Sequence, residues 1–251
     1  MVPVTNRKET EDVLMKGLRV ACLLLGLVAV AGCTTPPLQQ GRAGAIDSAF
    51  PSRLDADSAA RQFAQVVSTV EPVAERYCRA ARADRKCDFH IIVDTRRRSA
   101  PNAFQTLDDN GEPVLIFTLS LIADMRNPDE LAFVMSHEAS HHIRDHLSRQ
   151  RANADTSARQ YGQAAASKGA SRAAIRRAVA LGAELGARSY SKQFELEADY
   201  LGAQIARSAG YNPLRGAQYF QRLPDPGEEF QSSHPPNAER MATVRAALRQ
   251  N

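Results

Sequence analysis

Residues 127–149 read NPDELAFVMSHEASHHIRDHLSR. Asn127 can cap a helix, Pro128 suits its first turn, and Asp129 and Glu130 favour the positive end of its dipole, with Glu130 at the third position of a capping box. The stretch therefore predicts a helix running to about Arg149. Leu131, Phe133 and Val134 give it an apolar face that continues into two histidines. His137-Glu138-Ala139-Ser140-His141 matches the pattern H-E-x-x-H. At about 100° per residue the two histidines lie roughly 40° apart, so both imidazoles can bind one ion while Glu138 reaches the ion's water. That geometry suits metal-dependent hydrolysis.

A catalytic zinc takes three protein ligands and keeps one position open. In the variant H-E-x-x-H-x-x-G-x-x-H the third follows closely, but here Arg144 replaces the Gly and Leu147 the last His. His146 lies five residues after His141, about 140° round a continuous helix, and so fails as well. The third ligand must come from another element. Phe194-Glu195-Leu196-Glu197-Ala198-Asp199 offers one on a later helix. Glu195 and Asp199, four apart, share a face, while Glu197 points roughly 200° away from Glu195. Glu195 is assigned as third ligand. Asp199, one turn on, would accept a hydrogen bond from a ligand His and fix its tautomer.

Outside these motifs, Phe63, Val66, Val67, Val70, Val73 and Tyr77 recur at helical spacing from about Leu54, with an irregularity expected at Pro72. Strands are expected over 88–94, 102–107 and 114–119, the last two joined by a turn at Asp108-Asp109-Asn110-Gly111. Ser120 can cap a short helix to Met125. Residues 152–190, crowded with Ala, Gly, Ser and Arg, read either as helices or as a mobile cover. A helix from Ser191 stops before Gly210; a shorter one spans 214–223, then a Pro-rich loop, then a last helix from Asn237 to Arg249. The class is α+β: a mainly helical domain over 54–251 with a small β-sheet packed beside the H-E-x-x-H helix.

The chain has 251 residues, 43% hydrophobic and 24% charged, which fits one globular unit and argues against wholesale disorder or a polytopic membrane protein. Its net charge of +4 includes no basic run beyond Arg96 to Arg98, so no nucleic-acid partner is expected. Val20 to Gly32 is an apolar run of 13 residues, short of the roughly 20 that span a bilayer. With Lys16 and Arg19 before it, residues 1–32 read as a signal peptide, and Met15 makes a more natural start than Met1. Val30-Ala31-Gly32-Cys33 resembles a bacterial lipobox, which implies acylation of Cys33, and residues 33–53 read as a flexible tether. Thr34 after that Cys resembles lipoproteins sorted to the outer membrane, facing the periplasm. Of the remaining cysteines, Cys78 and Cys87 would form a disulfide in an oxidising compartment, free thiols being the alternative.

Together the chain resembles the M48 zinc metalloproteases, specifically short periplasmic lipoprotein members, over residues 54 to 251. Besides the two metal motifs, the resemblance is carried by Asn102-Ala103-Phe104, Asp129 to Val134, His146, Tyr200-Leu201-Gly202, Ala209 to Pro213, Ser233 to Pro236 and Arg240. His142 departs from the usual aliphatic residue, and would perturb packing or add a ligand; Lys192 stands where Arg is common. Members of this short type are expected to have no tetratricopeptide region after the domain. The resemblance implies a zincin-like fold with one zinc held by His137, His141 and Glu195. It also implies Glu138 as general base and a catalytic, proton-donating role for Asp199, whose geometry favours the orienting role. Asn102, Ala103 and Phe104 would lie on an edge strand that pairs with extended substrate, so that unfolded or misassembled envelope proteins are cleaved. His234 would hang over the metal as oxyanion stabiliser or latch with Arg240 anchoring its loop, or else the two would be a structural turn followed by a salt bridge on a helix surface. A lipid-anchored chaperone or assembly factor using the same groove is the rival expectation.

Overall fold

The structure is a computed structural model that describes residues 54–81, 84–96, 98–189, 191–225 and 234–249. The signal peptide, Cys33, the tether to residue 53 and residues 226–233 of the Pro-rich loop lie outside the described residues. Among the described residues no helix is long and apolar enough to cross a membrane.

Helix α1 (Ala56–Ala81) begins where Asp55 accepts a hydrogen bond from the Ser58 N–H (2.9 Å). It buries Ala59, Val66, Val70, Val73, Ala74 and Cys78, a stripe at helical spacing. Pro72 does not end it, since buried side chains on both sides hold the flanking turns against the core. Cys78 is joined to Cys87, which closes the path to the sheet.

Strands β1 (His90–Asp94), β2 (Ala103–Leu107) and β3 (Pro113–Thr118) form one sheet in the order β1-β3-β2. β1 runs parallel to β3 and β2 antiparallel to it, leaving β2 at an edge. In the β2–β3 turn only Gly111 takes a positive φ (79°), and the Asp108 carboxylate accepts from the N–H groups of Asn110 and Glu112. This is a turn with one left-handed residue, rather than one that also needs Asn110 there. Helix α2 (Leu119–Asp124) is capped by Thr118, whose hydroxyl accepts from the Leu121 N–H, and not by Ser120 as expected. Ser120 falls inside the first turn and donates to the Ser99 carbonyl instead (2.7 Å).

Helix α3 (Pro128–Ile143) carries the H-E-x-x-H motif and is buried on nearly every side, which makes it the central element. Asn127 caps it, accepting from the Glu130 N–H. The two acids of its first turn act over long range: Asp129 accepts from the Asn212 N–H and pairs with Arg215, and Glu130 pairs with Arg222 at 2.5 Å. The helix stops six residues before the expected Arg149. Arg85, held in the disulfide-closed segment, donates to the His142 carbonyl (2.6 Å) and pairs with Asp145, which adopts a left-handed conformation (φ 61°). With the His142 carbonyl shared between Arg85 and the Asp145 N–H, and Asp145 out of helical geometry, the chain turns and a new helix begins.

That helix, α4 (His146–Ser167), pairs with α5 (Arg172–Arg188), which settles residues 152–189 as a helical hairpin. The hairpin packs closely because it has glycines where side chains would collide: a Cβ at Gly182 would meet the Ser157 carbonyl oxygen at 2.5 Å. Helix α6 (Ser191–Ser208) lies along α3 and is ended by Gly210 (φ 87°). A short α7 (Pro213–Gly216) and a 3-10 turn (Ala217–Arg222) follow, and α8 (Asn237–Ala247) packs on α6. The fold is thus α+β, mainly helical, with the small sheet beside α3.

Candidate active site

Helix α3 presents His137 and His141 on one face because they are four residues apart, and α6 brings Glu195 against them. The His137 and His141 Nε2 atoms are 3.0 Å apart; Glu195 Oε2 is 3.4 Å from the first and Oε1 3.5 Å from the second. Ligand atoms of these three side chains all lie within 4.8 Å of one another. Two imidazole nitrogens and one carboxylate make a donor set suited to zinc, and the cleft beside them leaves room for a fourth, exchangeable position.

Both remaining imidazole nitrogens are engaged. His137 Nδ1 donates to Asp199 Oδ1 at 2.9 Å, which leaves Nε2 to face the centre. Asp199 is fully buried, and its oxygens are gripped by Arg240 through Nε (2.8 Å) and Nη2 (2.7 Å). With both oxygens used, Asp199 is placed to orient His137 rather than to reach a substrate. Arg240 is itself buried, 3.6 Å above the Phe220 ring. Residues 226–233 of the Pro-rich loop that it was expected to anchor lie outside the described residues; α8 packs with Arg240, Met241 and Val244 inward, which sends the guanidinium to Asp199.

On the other histidine, His141 Nδ1 lies 2.9 Å from His146 Nδ1, and His146 Nε2 is 3.2 Å from Glu197 Oε2. Arg149 pairs with Glu197 (2.6 Å). A single continuous helix over 127–149 hides these contacts, although His146 is among the residues that carry the family resemblance. The bend at Arg144 and Asp145 restarts the chain in a new direction and carries His146 back to His141. Glu197 does point away from Glu195, but towards this partner rather than solvent.

Burial opposes protonation of His137, yet Asp199 and Glu195 outweigh it and raise its pKa to about 10. Burial and the charge of His137 push His141 down to about 3. Burial acts to raise Glu195, but the hydrogen bonds from His137 and His234 hold it well below the ordinary range. Glu138 is pushed up to about 7 by burial, with repulsion from Glu195 adding to it against the attraction of His137. A carboxyl near neutrality can both take and return a proton.

The centre lies in a cleft of about 320 Å³, lined on one wall by Asn102, Ala103, Phe104 and Gln105 and on the other by His137, Glu138, His141 and Glu195. Of the three expected edge residues, Ala103 alone turns its main chain outward. The Thr118 N–H donates to the Asn102 carbonyl, so Asn102 and Phe104 face β3, and by alternation Ala103 and Gln105 present their groups to the free edge. Beside the cleft is a hollow of about 140 Å³ whose apolar part is walled by Leu121, Phe133, Val134, Tyr219, Phe220 and Leu223, with Glu138, Glu195 and Arg240 also at its border. His234 borders both spaces and donates from Nδ1 to Glu195 Oε2 at 2.9 Å. His142 is no part of the centre: it is buried edge-on against Phe89, with Nε2 2.7 Å from the Lys86 carbonyl oxygen.

No curated protein matches the chain in a sequence search. The family model described as peptidase family M48 matches residues 60–248, a span that takes in the central helix, the edge strand, Glu195 and Arg240. The chain belongs to peptidase family M48 and is a metallopeptidase.

Proposed function

We propose that the protein is a zinc endopeptidase, anchored to the outer membrane through acylated Cys33 and facing the periplasm, that hydrolyses unfolded or misassembled envelope proteins. The observation that carries the chemistry is the convergence of His137 Nε2, His141 Nε2 and the Glu195 carboxylate on the wall of a cleft opposite a free strand edge. When bound by these three side chains, zinc would acidify a water and polarise the scissile carbonyl. Glu138, on the cleft wall next to the first ligand histidine, would take the proton of the attacking water and hand it to the leaving amine. Asp199 holds the His137 ring in its tautomer. The outward groups of Ala103 and Gln105 bind an extended peptide through its main chain, which reads no side chains and fits a range of unfolded substrates. The apolar hollow beside Glu138 favours a substrate with an apolar side chain next to the cleaved bond. His234 stands where it can meet the oxyanion or close the fourth position.

Location and anchor rest on the 13-residue apolar run, the lipobox-like Val30 to Cys33 and the spacer after it. The test is chelator-sensitive hydrolysis of casein by the fragment from residue 34, with zinc content measured, beside Glu138→Gln. Loss of cleavage in that variant with zinc retained supports the enzyme. Prevention of aggregation without cleavage in either protein would support the chaperone reading instead.

A further inference from the structure

The two histidines at the centre are held from behind in parallel ways. His137 Nδ1 is tied to a carboxylate, Asp199, that is clamped by an arginine, Arg240. His141 Nδ1 is tied to His146, His146 to a carboxylate, Glu197, and Glu197 to an arginine, Arg149. We infer that His146 is the positioning residue for His141, with Glu197 as the acceptor that sets its tautomer. The inference rests on the proposed metal centre and deepens it.

Proton placement follows from the partners. Glu197, ionised and paired with Arg149, only accepts, so His146 carries its hydrogen on Nε2. His146 Nδ1 is then the acceptor, and His141 must donate from Nδ1. That leaves the lone pair of His141 on Nε2, the atom beside His137 Nε2 and Glu195. The chain is held rigidly: His146 is buried and stacked on Phe194 (centroids 4.6 Å apart, planes 9° apart), and Arg149 lies 4.2 Å from the same ring. Phe194 precedes Glu195, so one stack ties the start of α4 to the ligand-bearing turn of α6. A continuous helix through residue 149 would have broken this arrangement.

The experiment measures zinc affinity by chelator competition, the visible spectrum of the cobalt form, and the melting temperature of the metal-free protein, for wild type, His146→Phe and His146→Asn. Phe keeps the stack and lacks both nitrogens; Asn can set its amide oxygen near the Nδ1 position. Expected are a roughly 10–100-fold loss of zinc affinity and an altered cobalt spectrum for His146→Phe, with His146→Asn within a few-fold of wild type. Wild-type affinity and spectrum in His146→Phe would overturn the inference, as would equal losses in both variants, because the acceptor would then not matter. If neither variant folds, Glu197→Ala at the more exposed end of the chain gives the same reading: a loss of roughly tenfold is expected, and no loss overturns it. Failure of wild type to bind zinc at all would instead remove the metal centre itself.

Discussion

Gly202 sits two turns after Glu195 on the face of α6 that lies against α3. A Cβ added there would come within 3.0 Å of both Cα and N of His137 and 3.2 Å of the Ser136 carbonyl carbon. Ordinary van der Waals contact begins at about 3.4–3.5 Å, so in Gly202→Ala the two helices must part by a few tenths of an ångström at that point. The obstructing atoms are main chain of a buried helix and cannot swing aside. Alanine improves helix propensity by about 1 kcal/mol, while overpacking costs about 1–3 kcal/mol, so the net change is small enough for the protein to fold. The centre tolerates less, since metal–ligand distances are good to about 0.2 Å, and the displacement is applied to His137 itself and carried along α6 to Asp199 and Glu195. Zinc affinity should fall about tenfold or more, and peptidase activity with it, while the metal-free melting temperature moves by only a few degrees. Chelator competition and a thermal melt of metal-free protein measure the two separately. Wild-type zinc affinity and activity in Gly202→Ala would refute the view that this contact sets the spacing of the ligands.

Asp199→Asn keeps the shape but removes a charge that faces buried Arg240, so a stability loss of about 3–5 kcal/mol is expected in urea unfolding, together with weaker zinc binding. Hydrogen bonding from Arg149, against some burial and aided by His146, lowers Glu197 from 4.5 to about 2. A depressed carboxyl adds stability above its unfolded pKa and loses it as pH falls to the folded value, so wild type should lose, between about pH 4.5 and 2, an increment absent from Glu197→Gln. Acid titrations of the metal-free proteins followed by circular dichroism would show this as converging stabilities; a constant difference over that range would contradict it. Reducing Cys78–Cys87 reopens a short loop and should cost about 2–3 kcal/mol by urea midpoint with and without reductant. Because Arg85 lies in that loop and holds the end of α3, zinc affinity should also drop on reduction.

Local patterns settled much of this protein in advance. The cap at Asn127, the four-residue spacing of His137 and His141, the same spacing of Glu195 and Asp199, and the stop at Gly210 are all read within a turn or two of chain, since helical periodicity and capping are short-range properties. Where two distant segments compete for the same group, the sequence is silent. The end of α3 is decided by Arg85, 57 residues before the carbonyl it meets, and with that end goes the direction of His146. Arg240 looks like a surface cation until α8 packs on α6 and turns it to Asp199; Ser120 looks like a cap until Thr118 takes the position. The edge strand illustrates the division: alternation in residues 102–107 marks a strand, but which carbonyls face outward depends on the pairing of Asn102 with Thr118 across the sheet. Chain-local preferences determined which helices form and which side chains share a face; tertiary packing decided where α3 stops, which buried charges meet, and therefore how the second imidazole is held.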